Sequence, residues 1–217
     1  MPHADASLVP ETITTKTAFW EHVHEQLAAL IDGQRNWACI PFPSTGITVS
    51  NLANASSLIF NALAAFPAHF GQDPHQAVNW CFYLDQSHFP VARLSATPTA
   101  HEKTQSSNRQ LLLGPFSGKP ACQFINTTPG RARGVCADAF LKRETVLVED
   151  VNAYPGHIAC DGETKSEIVC PLILHTDSGS VPLGVLDLDC LRLAGFDGDD
   201  RKGLEKIVAL LVEACDW

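Results

Sequence analysis

EIVCPLILHTDSGSVPLGVLDLD, residues 167–189, is two apolar runs joined by a turn. EIVCPLIL (Glu167–Leu174) reads as a buried strand, and DSGS (177–180) supplies the turn residues. LGVLDLD (183–189) is the returning strand, so the two are antiparallel neighbours in a hairpin. Asp187 and Asp189 lie two apart and share one face of it, while Leu186 and Leu188 face the core. Exposed aspartates are the ordinary product of such alternation. A pocket on that face would gather them instead.

Just upstream lies YPGHIACDGETKSE (154–167). Pro155-Gly156 and Asp161-Gly162 are strong turn dipeptides, so Cys160 sits on a short extended piece between two turns. His157 stands three residues before it, with Asp161, Glu163 and Glu167 after it. A thiol on a loop, with acids near and a rigid strand behind, is a way to mount a reactive sulfur. A small buried cysteine in a polar loop is the plainer reading.

Residues 1–14 read as a flexible tail, and 15–217 as one domain. Phe19, Val23, Leu27, Leu30 and Ile31 recur at helical spacing over about 17–32, and Leu52, Ala55, Ile59, Ala62 and Phe66 do so over about 51–66. VNWCFYL (78–84) reads as a strand, and VARLSA continues the sheet. LLLGPF, ACQFI (121–125) and TVLVED (145–150) are further strands, and GVCADAFLKR (134–143) is a short helix. A last helix covers about 198–215, with Asp197, Asp199 and Asp200 at its positive end. Loop segments fall near 39–50, 97–110 and 126–133. The order predicts an α+β fold: one central antiparallel sheet, the terminal helices packed on one face, and a loop-lined pocket on the other.

With 217 residues, 45% hydrophobic and 18% charged, the chain has a globular composition. Its net charge of −9 leaves nothing spare to neutralise phosphates, so neither nucleic acid nor an anionic membrane is an expected partner. No apolar run reaches membrane-spanning length, and the first residues show no signal peptide. A cytoplasmic location follows, with nuclear access. The eight cysteines (39, 81, 122, 136, 160, 170, 190 and 215) form no CxxC pair, which argues against a zinc framework. In a reducing compartment they stay thiols unless they cycle.

Four pieces meet in the predicted pocket. Trp80, Phe82 and Tyr83 could form an aromatic wall for a sulfur-containing side chain, although each suits a strand core equally well. Cys122 and Cys136 join Cys160. Glu167 is the third piece and the Asp187–Asp189 pair the fourth. Three acids would bind an ammonium, and one could stay protonated because crowded carboxylates cannot all ionise. A second cysteine in reach suits a thiol–disulfide cycle.

GPFSGKPACQ (114–123), GVC (134–136), DVNAYPGHIACDGETKSEIVCP (150–171) and GVLDLDC (184–190), with GQRNW, NLANAS and NWCFYL upstream, resemble the free methionine-(R)-sulfoxide reductases. That family is a single GAF domain. The resemblance covers almost all of residues 17–215. It implies that Cys122, Cys136 and Cys160 are the cysteines of a reaction cycle. It implies that Trp80 and Tyr83 wall the substrate, and that Glu167, Asp187 and Asp189 hold its amino group and sulfoxide. The chain departs from the family in several places, among them longer loops at 97–110 and 126–133. NWCFYL is one residue shorter than NW-x-GFYL, which flips either Trp80 or Tyr83 off the pocket face. CIPFPSTGITVS (39–50) is inserted, and Ala137 replaces a glycine.

The implied reaction runs through Cys160 as nucleophile, with Cys136 its rival, while Glu167 or Asp189 protonates the sulfoxide oxygen. Cys160 becomes a sulfenic acid, Cys122 or Cys136 condenses with it, and thioredoxin reduces the disulfide. No metal or organic cofactor is required. The competing reading is a non-catalytic GAF sensor of a small ligand. A metal site of His157, Cys160 and another cysteine is a third reading, built on a weak signal. GAF domains often pair through their terminal helices, which leaves room for a homodimer.

Overall fold

The computed structural model describes residues 8–33, 49–71, 73, 75–85, 109–215 and 217, apart from the side chains of Val49, Trp80 and Cys81. The chain runs α1 (Lys16–Ile31), α2 (Val49–Ala64), β1 (Val78–Asp85), β2 (Gln110–Ser117) and β3 (Phe124–Asn126). Then come α3 (Val135–Lys142), β4 (Val146–Val148), a 3-10 turn (Val151–Ala153), β5 (Ser166–Thr176), β6 (Gly179–Cys190) and α4 (Gly198–Ala214). VARLSA, most of the 39–50 insert and most of the 97–110 loop lie outside the described residues.

The hairpin is the centre of the sheet. β5 and β6 pair antiparallel, with Glu167 opposite Asp189, Ile168 opposite Leu188 and Val169 opposite Asp187. Six antiparallel strands follow the order β3-β2-β1-β6-β5-β4. β1 therefore lies beside β6, and the start of β5 lies on β6's other side. Gly184 is what lets β1 approach. A Cβ there would fall 2.1 Å from the Tyr83 carbonyl oxygen, so no other residue fits without moving a strand.

Strand alternation divides the core in two. Ile168, Cys170, Leu172, Leu186, Leu188 and Phe82 face the side covered by Phe19, Val23 and Leu27 of α1, Leu52 and Ile59 of α2, and Leu204, Ile207 and Leu211 of α4. Each fully buried Leu or Ile contributes about 1.5–3 kcal/mol relative to exposure. Tyr83, Leu111, Val169 and Val185 face the other side, against Cys136, Ala139 and Phe140 of α3 with Val148 and Val151. Within residues 8–14, Val9 and Ile13 pack against the helix-side core.

The helix layer is pinned by a buried ion pair. Lys16 Nζ donates to Asp200 Oδ2 at 2.5 Å and to the Gly195 carbonyl at 2.9 Å. Trp20 Nε1 donates to the other Asp200 oxygen at 2.8 Å. Asp197 caps α4, taking hydrogen bonds from Asp199 N and Asp200 N, and the Asp200 carboxylate accepts one from Asp197 N. The acids at this helix start thus cap it and also tie α1 to α4. ACQFI differs from the sequence reading: Ala121–Gln123 are not strand, and β3 begins at Phe124. Cys122 therefore sits on a loop.

Candidate active site

The face of the sheet opposite the terminal helices carries the acids. Glu167 and Asp189 are cross-strand partners, and Asp187 lies two residues from Asp189. Glu167 and Asp187 are almost fully buried. With Cys136, Cys160, Gly134, Val135, Ile125, Ile158 and Arg133 they line a small hollow of about 10 Å³. That is room for about one water molecule.

Burial raises the Glu167 pKa well above its ordinary value, and the charge of Asp189 pushes it further up. Burial does the same to Asp189, reinforced by Asp187 and Asp161. Desolvation and like-charge crowding act together, so Glu167 and Asp189 are both pushed toward their protonated forms. His157 Nε2 lies 3.2 Å from Glu167 Oε2. The distance suits an ion pair, but burial also lowers the His157 pKa. Both partners are driven to their neutral forms, and the contact is a hydrogen bond between neutral groups. His157 thus serves Glu167 rather than a metal shared with Cys160.

Cys160 leaves the turn after Tyr154-Pro155-Gly156 and is half-buried. Its Sγ lies 3.5 Å from the Tyr83 hydroxyl, which donates to the Cys122 carbonyl at 3.0 Å. The Cys122 side chain lies near enough to the Cys160 sulfur to influence its titration. Burial, then the neighbouring Cys122, pushes the Cys160 thiol up to about 12, and Tyr83 pulls the other way. Cys136, at the start of α3, donates to Asp187 Oδ2 at 3.1 Å. Tyr154 holds the Cys160 loop to α3 by donating to Asp138 Oδ2 at 2.6 Å.

Two of the predicted cysteines, Cys136 and Cys160, and all three predicted acids therefore line one hollow, with Cys122 on the neighbouring loop beside Cys160. Tyr83 is brought in by its hydroxyl as well as its ring. Trp80 pairs with Leu188 and Tyr83 with Val185, so the two positions fall on opposite faces of β1. The Trp80 side chain lies outside the described residues. Sequence reasoning passed over Lys119 and Asn79. Lys119 ion-pairs with Asp161 at 2.9 Å and with Glu163. Asn79 accepts from Lys119 N at 3.2 Å and donates to Asp161 at 3.4 Å. The GKPAC run around Lys119 was the only signal available.

Among the described residues, Cys136, Glu167 and Asp187 place ligand atoms within 4.8 Å of one another. A metal there would have to displace the Cys136 proton now given to Asp187 and the proton burial favours on Glu167. A roomier groove of about 830 Å³ lies between β5 and α4, lined by Arg143, Cys170, His175, Arg201 and Glu205 among others. None of the predicted site residues lines it.

No protein-family model matches the chain. A free methionine-R-sulfoxide reductase of Saccharomyces cerevisiae is 41% identical over 200 residues, covering 90% of this chain and 87% of its own length. The chain belongs to the free methionine-R-sulfoxide reductase family. Its fold is that of a GAF domain: a solved GAF domain superposes with a TM-score of 0.69 at 38% identity, covering 100% of this chain and 98% of that one. The Neisseria meningitidis free methionine-R-sulfoxide reductase, solved in complex with its substrate, superposes with a TM-score of 0.64 at 30% identity, over 96% of this chain and 95% of that one. In this reductase fold the acid-lined hollow lies on the face of the sheet that the terminal helices leave uncovered. No helix among the described residues is long and apolar enough to cross a membrane.

Proposed function

We propose that this chain reduces free methionine-(R)-sulfoxide to methionine, with Cys160 as nucleophile and Cys122 as resolving cysteine. The observation that carries the reading is the closeness of Cys160 to Cys122 beneath the Tyr83 hydroxyl, at the edge of a hollow lined by Glu167, Asp187 and Asp189. The Cys160 sulfur attacks the sulfoxide sulfur while Glu167 gives its proton to the sulfoxide oxygen, and the proton leaving the Cys160 thiol restores Glu167 to its acid form. Methionine sulfur gains two electrons, Cys160 sulfur loses two, and the oxygen ends on Cys160 as a sulfenic acid. Cys122 then condenses with it, forming the disulfide and releasing water. A dithiol protein such as thioredoxin returns both cysteines to thiols.

The electrostatics favour this substrate. The ammonium of a free amino acid meets Asp187 and Asp189 and supplies the positive charge that favours their ionised forms, which a neutral peptide nitrogen cannot do. Arg133, on the rim of the hollow, offers a cation to the substrate carboxylate. A thiol held up near 12 is a poor nucleophile until proton transfer accompanies attack. The raised Glu167 fits that need, because a neutral carboxylic acid can donate near neutral pH. The chemistry calls for no metal or organic cofactor, and a reducing cytoplasm suits the cycle.

The deciding experiment is a single turnover. Reduced protein mixed with excess free methionine-(R)-sulfoxide, without reductant, should yield one methionine and lose two thiols. A GAF sensor would bind the ligand and lose none. Loss of thiols in a Cys160→Ser variant would overturn the assignment of the nucleophile.

A further inference from the structure

The loops that carry Cys122 and Cys160 are tied together by a side chain that takes no part in sulfur chemistry. Lys119 lies three residues before Cys122, and its Asp161 partner directly follows Cys160. Its second partner, Glu163, belongs to the same loop as Asp161. Asn79 at the start of β1 fastens both sides, accepting from the Lys119 backbone N–H and donating to Asp161. Gly118 turns with φ of +104°, and a Cβ there would come within 2.5 Å of Asn79 Oδ1. Only glycine lets the Cys122 loop seat against Asn79.

We infer that Lys119 is a positioning residue for the resolving step, its clasp on Asp161 and Glu163 holding Cys122 beside the oxidised Cys160. The inference rests on the thiol cycle proposed above. In that step the Cys122 sulfur attacks Cys160 sulfur. The S–S bond forms, the S–O bond breaks, and the hydroxyl leaves with the Cys122 proton as water. Nothing outside the protein is consumed. The step needs proximity alone, and proximity within a chain is worth large factors in rate.

The clasp lies at the surface, with Lys119 and Glu163 exposed and Asp161 half-buried, and adds little to stability. That suits a tie that has to open. The hollow holds about one water, so admitting an amino acid requires one of the two loops to move. A surface pair releases at low cost and re-forms once the substrate is in. It is also screened by salt, which gives a signature that a packing contact lacks.

The test separates the two chemical steps in rapid-quench single turnovers of the full chain with free methionine-(R)-sulfoxide. Methionine release reports the first step, and thiol loss with dimedone trapping of the sulfenic acid reports the second. Lys119→Met should leave methionine release within about twofold of wild type and slow disulfide formation about three- to fivefold, the most that a surface ion pair can supply, with the trapped sulfenic acid rising. Lys119→Arg, which keeps the charge, should restore most of the lost rate. In wild type, disulfide formation should slow severalfold on raising NaCl to about 0.5 M, and in Lys119→Met it should not respond. Disulfide formation within about twofold of wild type in Lys119→Met, or both steps slowed by one common factor, overturns the inference. If that variant fails to fold, the wild-type salt series decides, and a flat disulfide rate is fatal. Absence of any methionine from wild type sinks the underlying thiol cycle instead, and would be seen before either variant is made.

Discussion

Tyr83 Oη stands 3.5 Å from Cys160 Sγ, although the two residues are 77 positions apart in the chain. The phenol has one proton, and at rest it goes to the Cys122 carbonyl. The thiol can then only donate to the phenol oxygen. When Cys160 ionises, the phenol proton is the nearest one available to stabilise the thiolate. Tyr83→Phe should therefore drive the Cys160 pKa further up. We expect methionine release to slow about tenfold at neutral pH and iodoacetamide alkylation of Cys160 to shift to higher pH. The lost hydrogen bond to Cys122 should cost about 1 kcal/mol, measurable by urea unfolding.

Cys122 and Cys136 are both near Cys160, but their contacts differ. Cys136 is buried and donates a hydrogen bond to Asp187, whereas Cys122 lies beside the Cys160 sulfur and shifts its titration. Cys122→Ser should still release one methionine per chain and accumulate sulfenic acid at Cys160. Cys136→Ser should keep both methionine release and the loss of two thiols. Mass spectrometry of the dimedone adducts distinguishes the variants.

Glu167 has a folded pKa above its ordinary value of 4.5. Between those two values the folded chain holds a proton that the unfolded chain has released. The stability this contributes is complete below the ordinary value and is lost as pH rises through the raised one. Glu167→Gln removes that loss. Relative to wild type, the variant should gain up to about 1.4 kcal/mol per pH unit within the window, seen as a Tm that falls less between acid and mildly alkaline pH. Its methionine release should drop by about a hundredfold or more, since the proton donor is gone.

Lys16 makes a prediction for the other face of the sheet. Its amine is the cation for Asp200, which is fully buried. Burial raises the Asp200 pKa even against the opposing pull of Lys16 and Trp20. Lys16→Met would leave that carboxylate with N–H donors alone, at a cost of about 3–5 kcal/mol in chemical denaturation. The single-turnover rate per folded molecule should not change.

What could be read from the sequence was what short-range pattern encodes. The hairpin followed from two apolar runs and a turn, and period two put Asp187 and Asp189 on one face without any knowledge of the third dimension. The flanking turn dipeptides placed Cys160 on a loop. Asp197 and Asp200 announced the start of α4, but the burial of Asp200 against Lys16 depends on a partner 184 residues away. The contacts that shape the site are of that second kind: Tyr83 with Cys160, His157 with Glu167, Lys119 with Asp161. None leaves a local signature. ACQFI reads as a short strand after the turn at Ser117-Gly118, which would put Cys122 on it. In the fold β3 pairs with β2 only through Phe124–Asn126, which leaves Cys122 on the approach loop.

The burial of Cys160 also bears on what happens when no substrate is present. Peroxide oxidises thiolates far faster than thiols, and a half-buried sulfur that desolvation keeps protonated offers it little to attack. An enzyme that works amid oxidants would thus spare its own nucleophile from wasteful conversion to sulfinic acid between turnovers, and expose it only to the oxidised amino acid that fills the hollow.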